Sequence, residues 1–297
     1  MIHIIKASYP PLALLEQQEV IENTLLERKE KFKWRTEHYS DPIKEELSVL
    51  YHNKCAFCEQ KLTKSNTPQK FTVEHYRPKS IYWWLGNEWT NLFPTCEKCN
   101  DNKKDDFPLL FERKRVLLAP VKDGTLSRAQ CLATSGELLA EKPTILHPEI
   151  DHPEDFFEFL ADGTVKAKEG LDNWNKSRAN YMIAKFLGIQ SLEEKRKKYI
   201  DSLQADFVRT VVNFLTIMQG NTATNRELKL GFYSFLEKVF TSNNYDREFS
   251  RLGHFMSNNF EAFFIDTLPK NFPTKTLREI LQKAIILFLK EKTNNTT

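Results

Sequence analysis

Residues 54–108, KCAFCEQKLTKSNTPQKFTVEHYRPKSIYWWLGNEWTNLFPTCEKCNDNKKDDFP, decide how this chain is read. The Cys-x-x-Cys pairs Cys55/Cys58 and Cys96/Cys99 each set two thiols on a tight turn, and together they supply the four thiolates of a tetrahedral zinc ion. A redox dithiol needs one such pair, and a disulfide scaffold needs more cysteine than five residues in 297. Four thiolates close the coordination sphere, so this zinc is expected to be structural, with no position for a reacting water. Any chemistry falls to other side chains: Glu74 and His75 within Thr72 to Lys79 between the pairs, and Asn100, Asp101, Asn102 and Lys103 behind the second pair.

Outward from this stretch the texture changes. Residues 12–38 lack Gly and Pro and carry apolar positions at roughly helical recurrence, and Asp41-Pro42 reads as an N-cap and first turn leading toward Cys55. Residues 109–172 hold short mixed runs, with Asp162-Gly163 between apolar segments as a hairpin signal. Helical periodicity returns over about 174–187, 192–219, 224–240, 246–266 and 275–291, with Ser191/Glu194 and Thr276/Glu279 at capping-box spacing and a frayed tail from residue 293. The expectation is a mainly α protein with a small α+β module. It divides into N-terminal helices (1–53), the cysteine module (54–108), a mixed strand and loop region (109–172) and a C-terminal helical domain (173–297).

Composition is that of a globular protein, 40% hydrophobic and 28% charged. A net charge of +3 does not by itself point to nucleic acid or membrane. The longest apolar run, Ala284 to Leu289, is far short of the ~20 residues that cross a bilayer, and no signal-peptide pattern is present. A cytoplasmic location and no membrane partner are expected.

The order Cys-x-x-Cys, Glu74-His75 with Pro78 three residues on, Asn91-Leu92, then Cys-x-x-Cys-Asn100-x-x-Lys103 resembles the His-Asn-His (HNH) endonuclease family, whose ββα-metal motif folds a hairpin and a helix around one hydrolytic metal ion. The resemblance implies that His75 is the general base, Glu74 and Asn100 hold a catalytic Mg²⁺ or Mn²⁺, and Asn91 pins the loop that orients the histidine. It also sets Lys103 at phosphate. Glu74 stands where Asp is commoner in the family, and Asn100 where many members have His; both still offer oxygen. Cys-Ala-Phe-Cys-Glu (55–59), Glu-His-Tyr-Arg-Pro-Lys (74–79), Tyr82 to Leu85, Glu88 to Leu92 and Phe107-Pro108 are similar to the PtuB-type subgroup, effectors of Septu-type anti-phage systems and of some retrons. That likeness implies cleavage of DNA or RNA under the control of a PtuA-like ABC/SMC-type ATPase. In retron versions a reverse transcriptase and its multicopy single-stranded DNA are further partners.

Elementary chemistry agrees with these roles. Phosphodiester hydrolysis needs a base and a hard cation near the phosphate oxygens; imidazole suits the first, and the oxygens of Glu74 and Asn100 suit the second. Over residues 54–104, nine basic side chains stand against five acidic ones, which makes Arg77, Lys79, Lys103 and Lys104 the expected nucleic-acid contacts. Of Tyr82, Trp83, Trp84 and Trp89, at least two are expected in the core of the module. The run Glu193 to Lys198 reads as a solvated helix face, His147 and His152 as structural, and Cys131 as a lone thiol. The rival reading is a zinc-containing adaptor that binds nucleic acid or a partner without cutting.

Overall fold

Phe71-Thr72-Val73 favours extended backbone, and β1 (Phe71–His75) pairs antiparallel with β2 (Leu92–Cys96), Phe71 opposite Cys96 and His75 opposite Leu92. Thr72 and Thr95 meet across the pair through their hydroxyls at 2.9 Å. Pro94 has no N–H to give to a ladder, and its carbonyl accepts from Ala56 N at 2.8 Å, tying the first cysteine turn to β2. Two strands alone are marginal in water. Here the ribbon is flanked by α1 (Ser40–Leu50), whose Ile43 and Leu47 are fully buried, and by α2 (Glu97–Lys103), packed on both strands. The result is the order β, β, α within the cysteine module.

The computed structural model describes residues 1–6, 10–12, 14–15, 40–65, 67–219 and 225–294. Residues 12, 14 and 15 are helical; the rest of the helix expected over 12–38 and the C-terminal tail from residue 295 lie outside the described residues, as do the side chains of 40, 41, 218, 219, 225–231, 293 and 294. Because α1 already includes Ser40, Asp41 lies inside its first turn and is not the N-cap the sequence suggests.

The chain clusters into two compact units, residues 1–157 with 166–189, and residues 158–165 with 190–297. In the first, the region after α2 forms a two-residue ribbon, β3 (Val121–Lys122) and β4 (Thr125–Leu126), turned by Asp123 and Gly124 at φ 52° and 81°. Two short helices come next, α3 (Arg128–Cys131) and α4 (Gly136–Ala140). The Asp162-Gly163 signal lies in the loop of a hairpin between β5 (Phe157–Phe159) and β6 (Val165–Ala167). Asp162 Oδ1 accepts from Thr164 N at 2.9 Å, and Gly163 holds φ 86°. Helix α5 (Asn173–Met182), capped by Asp172 accepting from Asn175 N at 2.9 Å, continues into a π-turn at Ile183–Leu187 that packs on α2. Residues 173–189 thus cluster with the cysteine module, although the helical period groups them with the helices of residues 190–297.

The second unit is helical: α6 (Gln190–Gln219), α7 (Asn225–Thr241), α8 (Ser250–Asn258), a π-turn at Glu261–Ile265 and α9 (Thr274–Asn294). Phe207, Phe235, Phe260 and Phe264 pack ring against ring at its centre, with centroids 4.8–6.0 Å apart. A Cβ on Gly163 would lie 2.5 Å from Glu193 O, so only glycine lets the hairpin loop sit on α6. The capping-box expectations are corrected here. Helices α6 and α9 begin at Gln190 and Thr274, and Leu277 N already bonds Pro273 O, so Ser191 and Thr276 lie inside the first turns. No helix among the described residues is long and apolar enough to cross a membrane.

Candidate active site

Cys55, Cys58, Cys96 and Cys99 come together with their sulfurs all within 4.8 Å, each buried. Among the described residues this is the one such cluster of His, Cys, Asp and Glu. The Cys58 and Cys96 sulfurs are 3.8 Å apart, which matches the edge of about 3.8 Å expected of a tetrahedron with zinc–sulfur bonds of about 2.3 Å. Burial raises the Cys55 thiol, but hydrogen bonds from the other three cysteines outweigh it and hold Cys55 well below the usual range. Hydrogen bonding with Cys55 pushes Cys58 and Cys99 well above it. Four sulfurs this close cannot all ionise until a cation joins them, and the donor set fits zinc.

At the end of β1, Glu74 is 5% exposed and His75 8%. Burial above all, helped by Lys79 and Lys103 and opposed by the Gly86 carbonyl, lowers the His75 imidazolium to about 3. The ring is therefore neutral near pH 7. His75 Nε2 lies 2.9 Å from Gly86 O. A carbonyl only accepts, so Nε2 carries the hydrogen and Nδ1 is the basic nitrogen. Gly86 closes the short helical turn Trp83–Leu85, in which Trp84 is buried; Tyr82 and Trp89 are buried beside it, so three of the four aromatic side chains are core.

Asn91 closes the next turn. Its Oδ1 accepts from Arg77 N at 2.7 Å, and its Nδ2 donates to Arg77 O and Leu85 O at 3.1 and 3.0 Å. One amide thus ties the chain after His75 to the chain before Gly86, holding both sides of the imidazole's surroundings.

Helix α2 supplies the opposite wall. Lys103 Nζ donates to Glu74 Oε1 at 3.0 Å and to His75 O at 2.8 Å. Asn100 lies one turn earlier, and residues three apart share a helix face, so it is on the side of α2 that meets β1. Its side chain is half-buried and makes no hydrogen bond among the described residues. Burial raises the Glu74 carboxyl above the usual range, against the pull of Lys103. Two hard oxygen donors, one a carboxylate, suit Mg²⁺ or Mn²⁺, ions that keep several waters and need no all-protein cage.

Two of the basic residues expected at nucleic acid are corrected. Arg77, 2% exposed, is ion-paired through Nη1 with Glu141 and donates to Leu138 O at 2.8 Å; Lys103 is wholly buried. Neither side chain reaches a surface that a phosphate could touch. Lys79 and Lys104 do stand at the surface. Sequence reasoning missed Glu141, which is 0% exposed and also accepts from Tyr82 OH at 3.0 Å and Val116 N at 2.6 Å. A single glutamate in an irregular region carries no local signal of that role. His147 is buried, its Nε2 donating to Thr90 O at 3.3 Å and its Nδ1 accepting from Glu149 N at 3.1 Å, and Cys131 is buried.

A family model for HNH endonucleases matches residues 55–106. The chain is 27% identical over 217 residues to a Septu protein PtuB of Bacillus mycoides (strain KBAB4), covering 68% of this chain and 65% of that one. To a Septu protein PtuB of Bacillus thuringiensis it is 39% identical over 61 residues, 20% of this chain and 23% of the relative. It is also 26% identical over 139 residues to a Septu protein PtuA of Bacillus mycoides (strain KBAB4), 42% of this chain and 17% of that one. The matches therefore span less than two thirds of each relative's own length. With the β1–β2–α2 order and the four-cysteine cluster, they make residues 55–106 similar to HNH endonucleases and the longer chain similar to Septu PtuB proteins.

Proposed function

We propose that this chain is a metal-dependent nuclease that hydrolyses phosphodiester bonds of nucleic acid, acting in the cytoplasm as the effector of an anti-phage system. The observation that carries this reading is the meeting of the Glu74–His75 strand end with the face of α2 that bears Asn100 and Lys103. A zinc ion on Cys55, Cys58, Cys96 and Cys99 staples the ribbon to the turn before it and takes no part in the reaction. Glu74 and Asn100 hold Mg²⁺ or Mn²⁺. When bound, that ion supplies positive charge to the non-bridging and leaving oxygens of the phosphate.

The remaining work is the chain's own. His75, neutral and turned by the Gly86 carbonyl, takes the proton of the attacking water at Nδ1. Asn91 keeps the histidine's strand end and the Gly86 loop in register, so the base does not have to find its orientation anew. Lys79 and Lys104 offer surface charge to the backbone of the nucleic acid.

The likeness to Septu proteins supports control by a PtuA-like ATPase. An ATPase encoded beside this gene would bear that out, and its absence would count against it. A neighbouring reverse transcriptase would specify a retron form, with multicopy single-stranded DNA as a further partner.

The test of the nuclease reading is cleavage of plasmid and RNA by the purified protein with Mg²⁺ or Mn²⁺. The His75→Ala variant is expected to lose ~10²- to 10⁴-fold in rate with nucleic-acid binding retained. Equal binding without cleavage by both proteins would instead identify a zinc-containing adaptor.

A further inference from the structure

We propose that Lys103 is a positioning residue for the metal ligand Glu74, and that it does not contact phosphate. This rests on the metal-site reading above and goes beyond it by giving a positioning role to a lysine that the family resemblance sets at phosphate.

An ammonium has three N–H donors. Lys103 Nζ has three acceptors inside the protein: Glu74 Oε1 at 3.0 Å, His75 O at 2.8 Å and Lys104 O at 3.4 Å. Its side chain is 0% exposed. Every donor is therefore spoken for, and a phosphate outside the module has neither a free N–H nor a path to one. Burying a lysine costs free energy unless it is paired, and the pairing here runs to the two residues that matter most, Glu74 through its carboxylate and His75 through its carbonyl.

The geometry has a direct consequence for the carboxylate. Holding Oε1 on the lysine restricts the rotamers of the Glu74 side chain, so that an ion bound there would find the carboxylate already placed. Ligating carboxylates are commonly oriented by such a hydrogen bond, and removing it typically costs 10- to 100-fold in metal affinity. The same bond at His75 O anchors the end of β1 to α2, so one side chain sets the spacing between the strand that carries the base and the helix that carries Asn100.

The test is Mn²⁺ binding to the full-length protein, followed by the electron paramagnetic resonance signal of the free ion and by the Mn²⁺ dependence of cleavage. Lys103→Met is expected to weaken Mn²⁺ binding ~10- to 100-fold and to raise the Mn²⁺ needed for half-maximal cleavage in parallel, while KM for nucleic acid stays within about twofold. Lys103→Gln, which keeps a donor for Glu74 without the charge, is expected to fall between the two. Should Lys103→Met fail to fold by circular dichroism, Lys103→Gln carries the test alone, with at least about threefold weaker Mn²⁺ binding expected.

Unchanged or tighter Mn²⁺ binding overturns the proposal. So does a rise in KM for nucleic acid with a shallower salt dependence of binding, the mark of a lost phosphate contact. If the unsubstituted protein neither binds Mn²⁺ nor cleaves, it is the metal-site reading that has failed. If it does both and the Lys103 variants match it, only the role of Lys103 falls.

Discussion

Buried histidines in this protein are kept neutral by packing, and His147 shows how that couples to stability. Burial holds its imidazolium well below 6.5, and its two ring nitrogens are matched by Thr90 O and Glu149 N. The unfolded chain takes up a proton there below pH 6.5 while the folded chain does not, so stability is full above that pH and is lost as pH falls below it. His75 adds a second such group, with its folded value at about 3. His147→Asn should therefore shed one histidine's pH dependence, about 1.1 kcal/mol per pH unit on average, in urea unfolding measured between pH 5 and 6.5. An unchanged slope would mean that this ring is not buried neutral. The four-cysteine cluster is legible in the sequence because the spacing of the two pairs is itself the chemistry, whereas His75 stands out there only through the residue order shared with HNH proteins. Arg77 and Lys103 read there as phosphate contacts because a sequence records charge without burial, and their acceptors, Glu141 and Glu74, lie 64 and 29 residues away.

At the level of elements, the ribbon β1–β2 is short, and what holds it is the material around it. The first cysteine turn bonds to β2 through Ala56 N, and Phe57 of that turn stacks on Phe186 of the π-turn at 4.4 Å, while Asn102 of α2 donates to Lys185 O at 2.8 Å. A zinc ion linking the two cysteine pairs would fasten the turn, β2 and α2 at one point. About one equivalent of zinc per chain is expected by metal analysis, and its removal by a chelator, or Cys96→Ser, should lower the melting temperature and the cleavage rate together. Zinc below about half an equivalent in an active, folded protein would contradict the structural role. The helices are readable from helical period, and the ribbon only from the HNH resemblance. The start points of α6 and α9 are not, because a Ser or Thr three residues before Glu also occurs inside a first turn, where the preceding carbonyl is already bonded.

For the whole molecule, the division of labour comes from where each kind of residue clusters. The unit of residues 1–157 with 166–189 holds the cysteines, Glu74, His75, Asn91 and Asn100, and the unit of residues 158–165 with 190–297 is a helical body built on phenylalanine packing. The helical character of the C-terminal part is legible in the sequence, but not that residues 173–189 cluster with the cysteine module, since helical period records only that a face is buried. Everything proposed about activity turns on Glu74 and Asn100 sharing one divalent ion beside a separate, fully coordinated zinc. The most direct test is anomalous diffraction from crystals soaked in Mn²⁺. One manganese peak bound by the Glu74 carboxylate and the Asn100 amide oxygen at about 2.1 Å, distinct from zinc on the four cysteines, is the predicted result. Manganese bound elsewhere, or none between Glu74 and Asn100 in crystals of a protein that still cleaves, would contradict the account.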